Sequence, residues 1–406
     1  MKTTATLGTV FTLVTFAPLL TGFLLVARAS YKNRERFRAV CMSEFYDWSA
    51  ELRAGGDPWS SGDVSYRPPA GVIHRGECNY PPLFLRAFEP LTLMPPVTAY
   101  WVWQSILIAS LMVATLLMMR ELGPPAGVAP YALALGAALM LPEVYGALYE
   151  SEPTLLLLAL LVAAWICDRR ERSWAAGLML ALAALLKIYP ALAGGYFLAR
   201  RRWATIAWTI AFGIAGLVLS NIGDQRRFLN ASLLHSVWLS DDRWLRNDRS
   251  IATLSNIRTV LDWLYGRALP HEAFGLWYGL TAAADILLLV PSFYLTFRTS
   301  RDRELDAPCF GLWLCAAIMI SPIAWGHYLP LLIPLLLGVA MLMMRRPRFN
   351  TSGALMLALG LIGSTAAYFW SPLCRLHAFF IATLLMYLGA CLLVSGWNTD
   401  GELAAR

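Results

Sequence analysis

Apolar runs of roughly 18 residues or more recur from one end of this chain to the other. Each is long enough to cross about 30 Å of hydrocarbon. The strands of a membrane barrel would alternate polar and apolar residues, whereas these runs are solid apolar blocks. The 406 residues are 58% hydrophobic and 15% charged, where a typical soluble domain carries about 25% charge. The chain therefore reads as an all-α polytopic membrane protein, one integral membrane domain over 1–406.

About twelve spans are expected, near 4–26, 97–119, 127–142, 154–167, 174–187, 189–199, 204–221, 274–297, 308–322, 328–344, 353–370 and 377–396. Lys187 and Pro190 interrupt 174–199, which leaves two tilted helices or one broken one. The first run resembles a signal peptide but is longer than a typical apolar core, and only Lys2 leads it. It is read as a retained signal anchor.

The arginines orient the spans. With the N-terminus inside, the inner connections hold Arg120, Arg169, Arg170, Arg172, Arg200, Arg201, Arg202, Arg298, Arg301, Arg303, Arg345, Arg346 and Arg348. The short outer connections hold little that is basic beyond Lys187 and Arg375. That positive-inside bias places both termini in the cytoplasm. It also accounts for the net charge of +7 without nucleic acid, and the sixteen Trp and sixteen Tyr suit interfacial anchoring. Two outer loops are long, 28–96 and 221–273, and contain short amphipathic stretches such as FLNASLLHSVWL (228–239) of the kind that lie in the interface. Loop one is itself basic at Lys32, Arg34, Arg36 and Arg38. The seven cysteines show no CxxC or His/Cys metal spacing. Cys41 and Cys78 share loop one and can pair if it is extracytoplasmic.

Several chemistry-bearing residues fall on that outer side. Glu44 and Asp47 stand three apart, on one face of a helix. A partly desolvated carboxylate has a raised pKa and serves as a general base, although spacing alone fits ordinary surface acids better. GGDPW (55–59) is a turn. The paired prolines of NYPPLFLRAFEPLTLMPPVTAYWVWQ (79–104) point to a short helix along the membrane and a turn into the second span. ESEPT puts Glu150 and Glu152 on a short outer connection. Lys187 can hold a phosphate or snorkel to water. RWLRNDRSI groups Arg243, Arg246, Asn247, Arg249 and Ser250 on loop two, and a basic cluster can bind lipid phosphate. His327 sits in SPIAWGHYLP, between two apolar segments. A carboxylate, a histidine and cations at one membrane face suit a reaction with a lipid phosphate leaving group. Charge within the spans is scarce, Asp285 being the clearest example, which argues against a proton-coupled carrier.

In this order the stretches EFYDW, GGDPW, NYPPLFLRAFEPL, LMPP, KIYP, NDRS and SPIAWGH resemble glycosyltransferase family 87. The resemblance implies a GT-C type bundle that moves a sugar, mannose or arabinofuranose, from a polyprenyl-phosphate donor to a hydroxyl of a lipid-linked or envelope glycan, with inversion. It implies an active site on the outer face of a bacterial plasma membrane and no cofactor or metal. Asp47 or Glu44 would be the base. His327 would bond the donor phosphate or relay the proton. Lys187 and Arg249 would stabilise the departing charge. Tyr46, Asn79, Tyr80, Asn247, Ser250 and Trp325 would contact substrate. The chain departs from the family pattern twice. The family's acid usually stands about where Met42 does, and its Gly/Gln/Asn-rich turn after the third span is YESEPT here. The other classes compatible with the sequence are a transporter or lipid flippase and a non-catalytic scaffold of the same fold.

Overall fold

The computed structural model describes residues 17–28, 30–31, 41–59, 78, 80–230, 250–266, 269–322, 324–345, 350–370 and 377–404. They are helical nearly throughout, and the only strand-like pairing among them is an isolated antiparallel bridge between Ser250 and Trp325.

Helix α1 (Ala17–Arg28) is followed by α2 (Cys41–Arg53) and α3 (Pro82–Phe88), which come from the first long loop. Helix α4 (Pro96–Leu122) opens on a proline, where a missing N–H costs nothing, and closes on Gly123 at φ 63°. Helices α5 (Ala129–Met140) and α6 (Pro142–Glu150) are one apolar run bent by 59°. Pro142 has no N–H for the helix ladder, so the run breaks there. The pair α7 (Thr154–Arg169) and α8 (Ser173–Leu186) packs antiparallel across a short turn. Helix α8 stops at Lys187, whose extended backbone leads into a 3-10 turn at Tyr189–Ala193 and the short α9 (Gly194–Ala199). The segment is thus a helix broken at KIYP.

Helix α10 (Trp203–Leu219) bends by 99° into α11 (Ile222–Phe228). After the second loop come α12 (Thr253–Leu264), α13 (Phe274–Arg298) and α14 (Asp306–Ile320). A 3-10 segment at Gly326–Leu332 runs into α15 (Ile333–Arg345), followed by α16 (Thr351–Phe369) and α17 (Ala378–Ala404). Helices α16 and α17 cross so closely that a Cβ on Gly353 would lie 2.8 Å from the Gly389 carbonyl oxygen. Small residues permit such backbone approach inside a bilayer.

Among the described residues five helices are long and apolar enough to cross a membrane, or up to seven if each bent pair is one span. Twelve full spans are not seen among the described residues, and most of the first expected span, 4–26, lies outside them. Helix α8 has 14 residues and α14 has 15, and at about 1.5 Å per residue each rises only about 20 Å. Charges and prolines end these runs before the length a full span requires.

Those of the expected inner and outer residues that are described separate to opposite ends of the bundle. Helix α7 runs from the Glu152 end to Arg169. At the Arg169 end the connections are tied by ion pairs: Arg169 to Glu121 at 3.0 Å and to Asp306 at 2.5 Å, Arg170 to Glu121 at 3.0 Å, and Arg202 to Asp168 at 3.1 Å. Arg200 also pairs with Asp306 and donates to the Ser300 carbonyl at 2.6 Å. Asp306 therefore balances two buried or half-buried guanidinium groups. Asp306→Asn is expected to lower stability by about 3–5 kcal/mol, the usual cost of removing one side of a buried pair. Thermal unfolding in detergent reads it as a lower midpoint; an unchanged midpoint would mean that solvent already screens the pair.

Candidate active site

The site is built on the turn between α6 and α7. Ser151 takes the left-handed conformation, φ 58° and ψ 28°, as the C-cap of α6. A side chain bearing a Cβ pays roughly 1–2 kcal/mol for that backbone. The surroundings enforce it: Trp103 Nε1 donates to the Ser151 carbonyl at 2.8 Å, and Gln104 Nε2 donates to Ser151 Oγ at 2.9 Å. A left-handed position favours Gly or Asn, and this turn places a serine there. The turn delivers Glu152, 3% exposed, into the bundle end.

Glu152 is the centre of a charged cluster. Its Oε2 accepts from Tyr80 Oη at 2.6 Å and from Lys187 Nζ at 3.1 Å. Its Oε1 lies 3.8 Å from His327 Nε2. Lys187 also donates to Tyr80 Oη at 3.1 Å and to the Tyr328 hydroxyl. Its ammonium lies over the Tyr80 and Tyr328 rings, 4.7 and 4.3 Å from their centroids. An ammonium has three protons, and these three partners match them. Burial raises the Glu152 pKa, but Lys187, His327 and the Tyr80 hydroxyl outweigh it, so the net shift is downward and the group stays ionised.

Sequence-distant motifs hold these side chains. Trp59, of the GGDPW turn, donates from Nε1 to the Tyr80 carbonyl at 3.0 Å. Phe45 meets the Tyr80 ring edge-on at 4.7 Å. Tyr189 stacks on Tyr328 at 5.5 Å. Ser250 bridges Trp325, Ile251 N donates to the Ala324 carbonyl at 2.7 Å, and Trp325 packs edge-on against His327 at 5.4 Å. The loop-two serine and the SPIAWGH segment thus meet directly.

Helix α2 supplies the acids. It is packed into the protein: Met42, Phe45, Trp48, Ser49 and Leu52 are all buried. Glu44 is half-buried on it. Burial first, then the charges of Glu152, Glu150 and Asp47, raise the Glu44 pKa to about 7. Asp47 is 5% exposed.

The structure therefore brings together Tyr80, Lys187 and His327 around Glu152, with Trp325 and Ser250 behind the histidine and Glu44 within range of the Glu152 charge. The Tyr46 hydroxyl points elsewhere, donating to the Met94 carbonyl at 2.8 Å, where it fastens α2 to the turn before α4. Asn79, Asn247 and Arg249 lie outside the described residues, as do Arg243, Arg246 and the Cys41 side chain on which a Cys41–Cys78 pair depends. Among the described residues no group of three or more His, Cys, Asp or Glu could hold a metal ion. Sequence reasoning did not select Glu152. The signal for it was the lone Lys187 on the same side, since a cation at that depth calls for a carboxylate.

Comparison with known proteins gives a consistent set of matches. The model of glycosyltransferase family 87 matches residues 79–322. The polyprenol-phosphate-mannose-dependent alpha-(1-2)-phosphatidylinositol pentamannoside mannosyltransferase of Mycolicibacterium smegmatis is 32% identical over 276 residues, covering 64% of this chain and 60% of the relative. Its Mycobacterium tuberculosis counterpart is 28% identical over 268 residues, 64% of this chain and 57% of the relative. A polyprenol-phosphate-mannose-dependent alpha-(1-2)-phosphatidylinositol mannoside mannosyltransferase of M. smegmatis is 26% identical over 316 residues, 72% and 69% of the two chains. The chain thus spans 60% and 57% of the length of the first two relatives.

Proposed function

The chain belongs to glycosyltransferase family 87, and from that membership we propose that it transfers mannose from a polyprenyl-phosphate donor to a hydroxyl of a lipid-linked mannoside, with inversion at C1. The relatives' names support mannose over arabinofuranose and a phosphatidylinositol mannoside as the acceptor class. The observation that carries the reading is the Lys187–Glu152–His327 cluster, at the bundle end opposite the arginine network and within charge range of Glu44. The positive-inside rule puts the arginine end and both termini in the cytoplasm. The cluster then faces the outer leaflet of a bacterial plasma membrane, among the lipids that carry donor and acceptor.

In this reading Glu44 takes the proton of the acceptor hydroxyl. The hydroxyl oxygen forms its bond to C1 while the bond from C1 to the phosphate oxygen breaks, and that electron pair leaves with the phosphate. Lys187 neutralises the departing charge. Its three protons are already engaged, so phosphate entry makes one partner give way. The Tyr328 hydroxyl can follow the lysine onto a phosphate oxygen as a second donor. Glu152 holds Lys187 and His327 in place, and His327 bonds the phosphate. Phosphate is already a competent leaving group, so this route needs no metal or cofactor.

The test uses the purified full chain in lipid, labelled polyprenyl-phosphate mannose, and phosphatidylinositol mannosides of several lengths. A labelled mannolipid one residue longer than its acceptor is the expected product. Absence of any product across the acceptor series would remove the reading.

A further inference from the structure

We infer that the cavity between α6 and α16, on the far side of His327 from Lys187, is the acceptor subsite and seats the terminal pyranose of the acceptor glycan. The inference deepens the proposed transfer and rests on it. The cavity has a volume of about 470 Å³, within the roughly 300–1,000 Å³ range of small-molecule sites. Its walls are Tyr149 and Glu150 of α6, Tyr368 of α16, Phe379 of α17, and Trp325 and His327 of the connecting segment.

That lining suits a sugar. A pyranose has C–H faces that pack on aromatic rings and equatorial hydroxyls that need acceptors and donors; the cavity supplies both through its four aromatic rings, the Glu150 carboxylate and the His327 imidazole. One helical turn further along both helices stand the buried Glu143 and Ser364, which adds polar groups below Gly146 and Ala367. The second large cavity makes the contrast. It measures about 620 Å³ and is lined by Ala191, Leu192, Leu289, Val290, Phe293 and Phe297, a surface for hydrocarbon.

The position fits the chemistry as well. His327 lines the cavity while its Nε2 approaches Glu152, so the imidazole separates the cavity from the lysine that would take the phosphate. Glu150 lines the cavity and its charge reaches Glu44. Gly146 gives the cavity room, since a Cβ there would lie 3.2 Å from Tyr368 Cε2 and 3.4 Å from His327 Cβ.

The experiment has two arms on the full chain. In the first, Tyr368→Ala and Glu150→Gln are expected to raise the acceptor KM by about tenfold or more while leaving the donor KM unchanged, since they remove binding made only to the acceptor. Tyr368→Phe keeps the ring and should stay near wild type. In the second, an unreactive mannobiose is expected to raise the melting temperature of wild type and not that of Tyr368→Ala. Transfer with acceptor KM within twofold of wild type in both variants overturns the subsite and leaves the transfer reading intact. Tyr368-dependent mannobiose binding without transfer by wild type supports the subsite and overturns the transfer reading. Mannobiose binding that Tyr368→Ala leaves unchanged overturns the subsite whatever the transfer result.

Discussion

Glu152→Gln is expected to lower turnover by about a hundredfold or more. The change keeps the size of the side chain and removes its charge. Lys187 then faces two neutral hydroxyls and an amide in a buried setting, and His327 loses the carboxylate at 3.8 Å. Removing one side of a buried ion pair costs about 3–5 kcal/mol. If roughly 3 kcal/mol of that reaches the transition state through a displaced Lys187, the rate falls about a hundredfold, at 1.36 kcal/mol per decade. The sign with pH is set by the lowered Glu152 pKa. Its stabilising contribution is present above the ordinary carboxylate range and is lost only as pH falls through the lowered value. Near neutral pH the wild-type group is ionised, and its charge helps hold Glu44 near 7, so the defect should be somewhat smaller around pH 6 than around pH 8. Single-turnover kinetics with labelled donor read the rate. A turnover within threefold of wild type would leave the cluster a packing feature.

Glu44→Gln is expected to lower turnover by a factor on the order of 100 to 10,000, the usual contribution of a positioned general base. The pKa of about 7 makes Glu44 the better of the two candidate bases, since a carboxylate near the working pH is both ionised and basic enough. Asp47 lies one turn further along the same face of α2, and its charge is one of the causes of that shift. Asp47→Asn should therefore lower the Glu44 pKa and reduce the rate only a few-fold. A raised carboxylate pKa also fixes a stability sign. The protonated Glu44 is the favoured form in the folded chain, so its contribution is present below the ordinary carboxylate pKa and is lost as pH rises through about 7. Glu44→Gln removes that loss, and above neutral pH the variant should unfold no earlier than wild type. Low activity in a stable protein separates loss of a base from loss of fold. If Asp47→Asn is instead the inactive variant, the base assignment is reversed.

Much of the architecture was legible in the chain itself. The paired prolines before α4 mark its start because proline is tolerated at the first helical position, and Gly123 marks its end. The break at KIYP was visible as a lysine and a proline in an apolar run. The separation of arginines from Glu44, Lys187 and His327 was visible as charge asymmetry, and the two groups do lie at opposite ends of the bundle. The number of spans was less legible. Hydropathy counts apolar length, while Pro142 and Lys187 end helices inside a continuous apolar stretch. The burial of α2 was hidden too, since its covering residues Tyr80, Phe84 and Phe88 come from another part of the loop. Glu152 was hidden for the same reason. Its hydrogen-bond partners stand 35 and 72 positions away, and only the left-handed turn at Ser151 aims it inward.

The pH dependence of kcat, measured with saturating donor and acceptor from about pH 5 to 9, tests the central claim most directly. Wild type should show a rising limb with an apparent pKa close to 7. Glu44→Gln should be slow and flat across that range, and Glu152→Gln should be slow with its limb moved to lower pH, since the Glu152 charge helps raise the Glu44 pKa. A limb near 7 that persists unchanged in Glu44→Gln would contradict the account, because the titrating base would then be another group.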